Sequence, residues 1–264
     1  MKEKRRKMLG DAARRINRGD LKKGIYILPN LITTMSLFSG LFSVYFSISG
    51  KFLFAVWAIF VAILFDGIDG KVARLTKTES DFGVQYDSLS DLISFGVAPA
   101  ILMYQWVLFP VGRLGWLSVS LYVICAALRL ARFNIQITTV EKSVFNGLPS
   151  PGAALMLSAT VLFFSEFEYP IDDWRPLILG MVYLMGFLMV SNIKYMSFKE
   201  LGTAKPRPFH ILILLILIAI LIATRPEIMI FTMILFYVLS GPVYLLLRSI
   251  FGKREGKELE DHTL

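Results

Sequence analysis

Cysteine, histidine and charge are all scarce in this chain. With one cysteine, Cys125, and two histidines in 264 residues, neither a disulfide framework nor a thiolate metal cluster can be built. Cys125 falls in an apolar stretch and reads as packing, and His210, alone at the start of another, reads as interfacial. Charged residues make up only 18% of the chain and gather in short clusters. No internal repeat of comparable motif content is visible, which argues against an inverted-repeat transporter.

Long apolar blocks take up what the charges leave. The hydrophobic fraction is 55% and the mean hydropathy +0.62, beyond a soluble globular domain. Blocks of roughly 17 to 25 residues are long enough to span a bilayer. Eight are expected, at Leu28 to Ser49, Phe52 to Leu75, Tyr86 to Phe109, Leu114 to Ile137, Leu148 to Ser165, Pro176 to Ile193, Phe209 to Thr224 and Ile228 to Leu247. The expected fold class is therefore an all-α integral membrane bundle of about eight transmembrane helices. It divides into a basic N-terminal segment 1–24, a transmembrane domain 25–250 and a charged tail 251–264.

Charge sets the expected orientation. Ten of the 28 Lys and Arg residues lie in the first 23 positions, while only Lys51, Arg113, Arg175 and Arg225 fall in loops that eight spans put outside. The positive-inside rule then places both termini in the cytoplasm. The basic start runs into a full span without a small-residue cleavage site, so no separable signal peptide is expected. Met8, Leu9, Ala12, Ala13 and Ile16 share one face of a helix opposite Lys7, Arg14, Arg15 and Arg18, the pattern of an amphipathic interfacial helix. A disordered basic tail has the same composition. The net charge of +8 and the cluster Lys194, Lys199, Lys205 and Arg207 fit topology and attraction to anionic lipid rather than nucleic acid.

Against that background four aspartates stand out. Asp66 and Asp69 close the second block, and Asp87 and Asp91 open the third. Carboxylates at membrane depth are costly and default to a functional-site hypothesis. At about 100° per residue, Asp66, Asp69, Gly70, Ala73 and Arg74 share one helix face, and Gly83, Asp87, Ser90, Asp91 and Ser94 form a stripe on the next helix. The short connection from Thr76 to Phe82 makes the two helices antiparallel neighbours, so the stripes face each other near the inner membrane boundary.

Four converging carboxylates repel unless some are protonated or a cation holds them. Hard oxygen ligands without His or Cys favour Mg2+, Mn2+ or Ca2+. Such a site suits phosphoryl chemistry, in which a metal offsets charge on the attacking and leaving oxygens. Gly70 and Gly83 would let a large ligand approach the backbone, and Arg74 would clamp a phosphate. The plain alternative pairs Arg74 and Lys71 with two aspartates to hold the helices in register.

The full spacing D-x2-D-G-x2-A-R-x8-G-x3-D-x3-D resembles the signature of the CDP-alcohol phosphatidyltransferases, a family of integral membrane enzymes. The resemblance implies displacement of CMP from a CDP-linked lipid by an alcohol. It implies a divalent metal site, Mg2+ or Mn2+ and two ions, with Asp66, Asp69, Asp87 and Asp91 as ligands and Asp91 also the general base. Gly70, Ala73, Arg74 and Gly83 would line the cytidine and diphosphate site together with Asp69, and Asn30, Thr33 and Ser80 sit at the same level, where they can contact nucleotide or act as caps and interhelical bonds.

The stretches Asp91 to Ala100, Arg129 to Asn134, Phe145 to Pro151 and Ser191 to Lys199 resemble the branch of the family that uses L-serine and CDP-diacylglycerol. One departure is Ser36, where that branch more often has Asn. Expected partners are CDP-diacylglycerol or an archaeal CDP-lipid, L-serine, the product CMP, membrane lipids and a second copy of the chain; the active site would be cytoplasmic, and no nucleic acid is expected. Arg129 and Arg132, three residues apart, need anionic partners: the serine carboxylate or lipid diphosphate, with Asn134 and Ser150 adding polar contacts, or else the aspartates or Glu141. A phosphorylated acceptor, glycerol phosphate or inositol phosphate, is the nearest rival, and a cation-coupled transporter is a remote one.

Overall fold

The computed structural model describes residues 28–76, 80–137, 145–167, 170–195 and 224–261. Seven helices fill them: α1 Leu28–Ile48, α2 Phe52–Thr76, α3 Asp81–Val111, α4 Arg113–Ile137, α5 Ser150–Glu166, α6 Arg175–Val190 and α7 Pro226–Asp261. Six are long and apolar enough to cross a membrane, α6 when counted with the 3-10 turn Ile171–Trp174 that leads into it, 20 residues in all; α5, at 17 residues, is the exception. The expected first six spans and the eighth therefore all appear as helices. The seventh, apart from Thr224, and the N-terminal segment lie outside the described residues. So do Glu141, Lys199, Lys205, Arg207 and His210.

α5 is apolar on every side, and the bundle buries it. Its inner positions Gly152, Ala153, Ala154, Ser158 and Ala159 are all buried. Small residues let neighbouring backbones come close, the main route to helix association where lipid is as apolar as a side chain. α2 and α7 pack on it, while α4 lies along α6. Phe163 stacks on Phe231 of α7 with ring centroids 4.6 Å apart.

α3 is longer than its apolar block predicts, because Ser80 caps it: the Ser80 hydroxyl accepts from the Gly83 N–H at 3.0 Å. The helix changes pitch directly after Asp91, with a π-turn over Leu92–Val97. Pro99 supplies the reason. It has no N–H to give the carbonyl of Phe95, four residues back. The buried Tyr122 hydroxyl of α4 donates to that carbonyl instead, at 2.9 Å.

α1 and α3 touch backbone to backbone. A Cβ on Gly40 would stand 2.5 Å from Ser94 Oγ and 2.8 Å from Ser94 Cα. Beside this contact, Ser90 donates to the Thr33 carbonyl (3.2 Å) and Ser94 to the Ser36 carbonyl (3.1 Å). The hydroxyl of Ser36 itself donates to Ala62 on α2 (2.9 Å).

A two-residue strand pair lies beside the ends of α4 and α6. Phe145–Asn146 (β1) runs antiparallel to Lys194–Tyr195 (β2), Phe145 opposite Tyr195. Gly147 then turns with φ +88, where a Cβ would strike the Met189 carbonyl, so only glycine fits. Its N–H bonds Ile193 O at 2.8 Å, the next N–H bonds Leu188 O at 3.0 Å, and the chain enters α5 at Ser150.

Candidate active site

The four aspartates meet where α2 ends and α3 begins. One carboxylate oxygen each from Asp66, Asp69 and Asp87 lies within 4.8 Å of the others. Asp91, one turn along α3 from Asp87, sits beside this trio, its carboxyl within hydrogen-bonding reach of Asp66. Asp91 Oδ1 is buried and has no hydrogen-bond partner. Asp69 is only 4% exposed, and Thr33 of α1 donates to its Oδ2 at 2.8 Å.

Helical periodicity explains the convergence on α2 and corrects the reading of α3. Asp66 and Asp69 share the inward face, as their spacing requires. The α3 stripe divides between two neighbours: Asp87 and Asp91 turn toward the site, whereas Ser90 and Ser94 are buried against α1.

No basic side chain among the described residues forms an ion pair with the cluster. Among the described residues the ion pairs are Arg175 with Asp172 and Arg225 with Glu166, both 2.6 Å and both at the far end of the bundle. Arg74 is exposed, and its Nε donates to Gly70 O in its own helix at 2.8 Å. The register-holding alternative thus lacks its ion pairs. A group of hard oxygen donors with a buried, unpartnered carboxylate oxygen beside it fits a divalent metal.

The other expected residues fall into two groups. On the α1–α3 side, Asn30 Oδ1 and Ser80 Oγ crowd the open face of Gly83, lying 3.3 Å and 3.2 Å from where its Cβ would be. Gly70 and Ala73 are half-buried along α2. Thr33 is committed to Asp69 and to the Pro29 carbonyl at 3.1 Å.

On the α4 side the two arginines separate. Arg129 donates to Ser150 Oγ at 2.8 Å, its Nε is buried without a partner, and both Asp91 and Asp66 are near enough to interact with its charge. Arg132 instead reaches the end of α6, donating to Asn192 Oδ1 at 2.6 Å and Val190 O at 3.4 Å. Asn134 pairs with Ser88 of α3 through its amide at 2.9 Å. The structure therefore brings Arg129 and Ser150 to the aspartates and gives Arg132 and Asn134 other neighbours. Sequence reasoning missed Tyr122, Asn192 and Tyr237; Pro99, four residues beyond a carbonyl beside the motif, was the available signal for Tyr122.

A multi-pass membrane bundle with a carboxylate site for a hard cation at one end is the class that fold and site define. The chain belongs to the CDP-alcohol phosphatidyltransferase family, whose model matches residues 26–193. It is 37% identical over 232 residues to a CDP-diacylglycerol–serine O-phosphatidyltransferase of Helicobacter pylori, covering 88% of this chain and 97% of the relative. A protein of the same name from Methanocaldococcus jannaschii is 37% identical over 171 residues, 65% of this chain and 74% of its own. An archaetidylserine synthase of Methanothermobacter thermautotrophicus is 38% identical over 181 residues, 67% of this chain and 72% of the relative.

Proposed function

We propose that the chain transfers the phosphatidyl group of CDP-diacylglycerol, or of an ether-linked archaeal counterpart, to the hydroxyl of L-serine. Phosphatidylserine and CMP are the products. The observation that carries this reading is the trio of Asp66, Asp69 and Asp87, with the buried, unpartnered oxygen of Asp91 beside it. The names of the relatives support serine as the acceptor.

In this reading the four aspartates hold Mg2+ or Mn2+, as two ions. When bound, the metal supplies positive charge against the diphosphate and the charge developing in the transition state. Thr33 fixes the orientation of Asp69. Asn30, Ser80, Gly83, Gly70, Ala73 and Arg74 surround the cytidine and diphosphate. Arg129, held by Ser150, meets the carboxylate of serine or the lipid diphosphate, with Arg132 and Asn134 further out. Asp91 Oδ1 accepts the proton as the serine oxygen bonds to the lipid phosphorus and the bond from that phosphorus to the CMP oxygen breaks. The site faces the cytoplasm, where serine and CMP are soluble, and the working form is a homodimer.

The test is CMP release by purified protein with metal and CDP-diacylglycerol, given serine, glycerol phosphate or inositol phosphate in separate reactions. Release that depends on serine alone is the expected result. Release with a phosphorylated acceptor instead would assign another branch of the family, and release with none of the three would remove the reading.

A further inference from the structure

The family match ends at residue 193, and α7 beyond it has the sequence of an ordinary apolar span. Its inward face is specific. The Tyr195 hydroxyl donates to the Val238 carbonyl at 3.2 Å, and the Tyr195 ring occupies a slot left by Gly241, where a Cβ would stand 2.5 Å from ring carbon. One turn earlier, the Tyr237 ring lies 5.8 Å from that of Tyr195. The edge of Tyr237 rests on Gly152, with Cε1 3.3 Å from where a Cβ would be.

These contacts converge on one guanidinium. Gly152 is in the first turn of α5, two residues after Ser150, which accepts from Arg129. Tyr195 belongs to the strand pair that leads through Gly147 into the same turn. Tyr237 therefore packs on the very turn whose Ser150 holds Arg129. Arg129 thus stands between the aspartates and a wall made by α7.

We propose that α7 is a working part of the acceptor side of the site, with Tyr237 a positioning residue whose ring, packed on Gly152, holds the first turn of α5 and so keeps Ser150 against the Arg129 guanidinium. The inference rests on the acceptor reading of Arg129 given above. It makes α7 an addition to the family's common core that sharpens capture of the acceptor without touching the phosphorus.

Steady-state kinetics of the full chain test it. CMP release is measured with metal and CDP-diacylglycerol while serine, glycerol phosphate and inositol phosphate are titrated in turn. Tyr237→Leu removes the ring from Gly152, while Tyr237→Phe keeps it and removes only the hydroxyl. The leucine variant is expected to raise KM for the accepted alcohol roughly ten-fold, the order expected when one hydrogen bond to a charged group is displaced, with KM for the CDP-lipid unchanged, and the phenylalanine variant is expected to keep the wild-type KM. Combined with Ser150→Ala, Tyr237→Leu should add less than its separate effect, because both act through Arg129. An unchanged acceptor KM in the leucine variant, an equal rise in both KM values, or full additivity would overturn the proposal. If the wild type uses a phosphorylated acceptor, the serine reading falls while the shift in that acceptor's KM still decides the role of Tyr237. Turnover with none of the three overturns both.

Discussion

Thr33 offers the sharpest test of how the metal site is supported. Its hydroxyl donates to Asp69 Oδ2 at 2.8 Å, and both residues are 4% exposed. Thr33→Val removes the hydroxyl at nearly constant volume, and water has little access to take its place. A hydrogen bond to a charged group contributes about 1.5–3 kcal/mol. Loss of a bond that orients a metal ligand typically weakens metal affinity about 10–100-fold. The Mn2+ concentration for half-maximal CMP release should rise by that factor, with kcat at saturating metal little changed. Calorimetric titration of Mn2+ into the protein should show the same shift without turnover. Thr33→Ser keeps the hydroxyl and should restore most of the affinity. An unchanged metal requirement in the valine variant, or an equal loss in the serine variant, would refute the supporting role.

Asp91→Asn should abolish turnover while CDP-lipid binding persists; parallel loss of binding and turnover, measured by nucleotide competition, would argue against a base. Tyr122→Phe leaves the Phe95 carbonyl buried with neither Pro99 nor a hydroxyl to serve it. It should destabilise the protein by about 1 kcal/mol, read as a lower thermal midpoint, and lower kcat because the π-turn adjoins Asp91. Gly40→Leu should prevent folding, since even a Cβ there meets Ser94 Cα at 2.8 Å, whereas Gly180→Ala, with nothing within 4 Å, should fold and melt normally. Gel filtration in detergent separates the two outcomes.

The parts of the site that follow from helical pitch were legible in the sequence. Asp66 and Asp69 lie three residues apart and had to share a face, and a short connection had to bring Asp87 opposite them. Pitch does not say which neighbour a face meets. Ser90 and Ser94 shared the stripe of Asp87 and Asp91, yet they lie on its edge nearest α1 and bond there. Arg129 and Arg132 look equivalent for the same reason. Their long side chains reach different partners, Ser150 and Asn192, because α5 and the end of α6 flank α4.

Departures from regular pitch were harder to foresee. Pro99 announced a disturbed helix, but the donor that repairs it comes from Tyr122, 27 residues away on another helix. α7 read as generic because its inward residues, Tyr237, Val238 and Gly241, acquire meaning only against Tyr195 and Gly152. The apolar blocks of α2 and α4 matched their helices closely, since length and hydropathy set both. α3 extended past its block because a hydroxyl cap, not hydropathy, fixes where it starts.

The central claim is that the hydroxyl oxygen of serine attacks the lipid phosphorus at the aspartate site. Serine labelled with heavy oxygen in its side chain, incubated with CDP-diacylglycerol, metal and the purified chain, tests it most directly by mass spectrometry of the products. The expected result is label retained in phosphatidylserine and absent from CMP, and no labelled lipid from Asp91→Asn. Unlabelled phosphatidylserine, or labelled lipid formed equally well by Asp91→Asn, would contradict it.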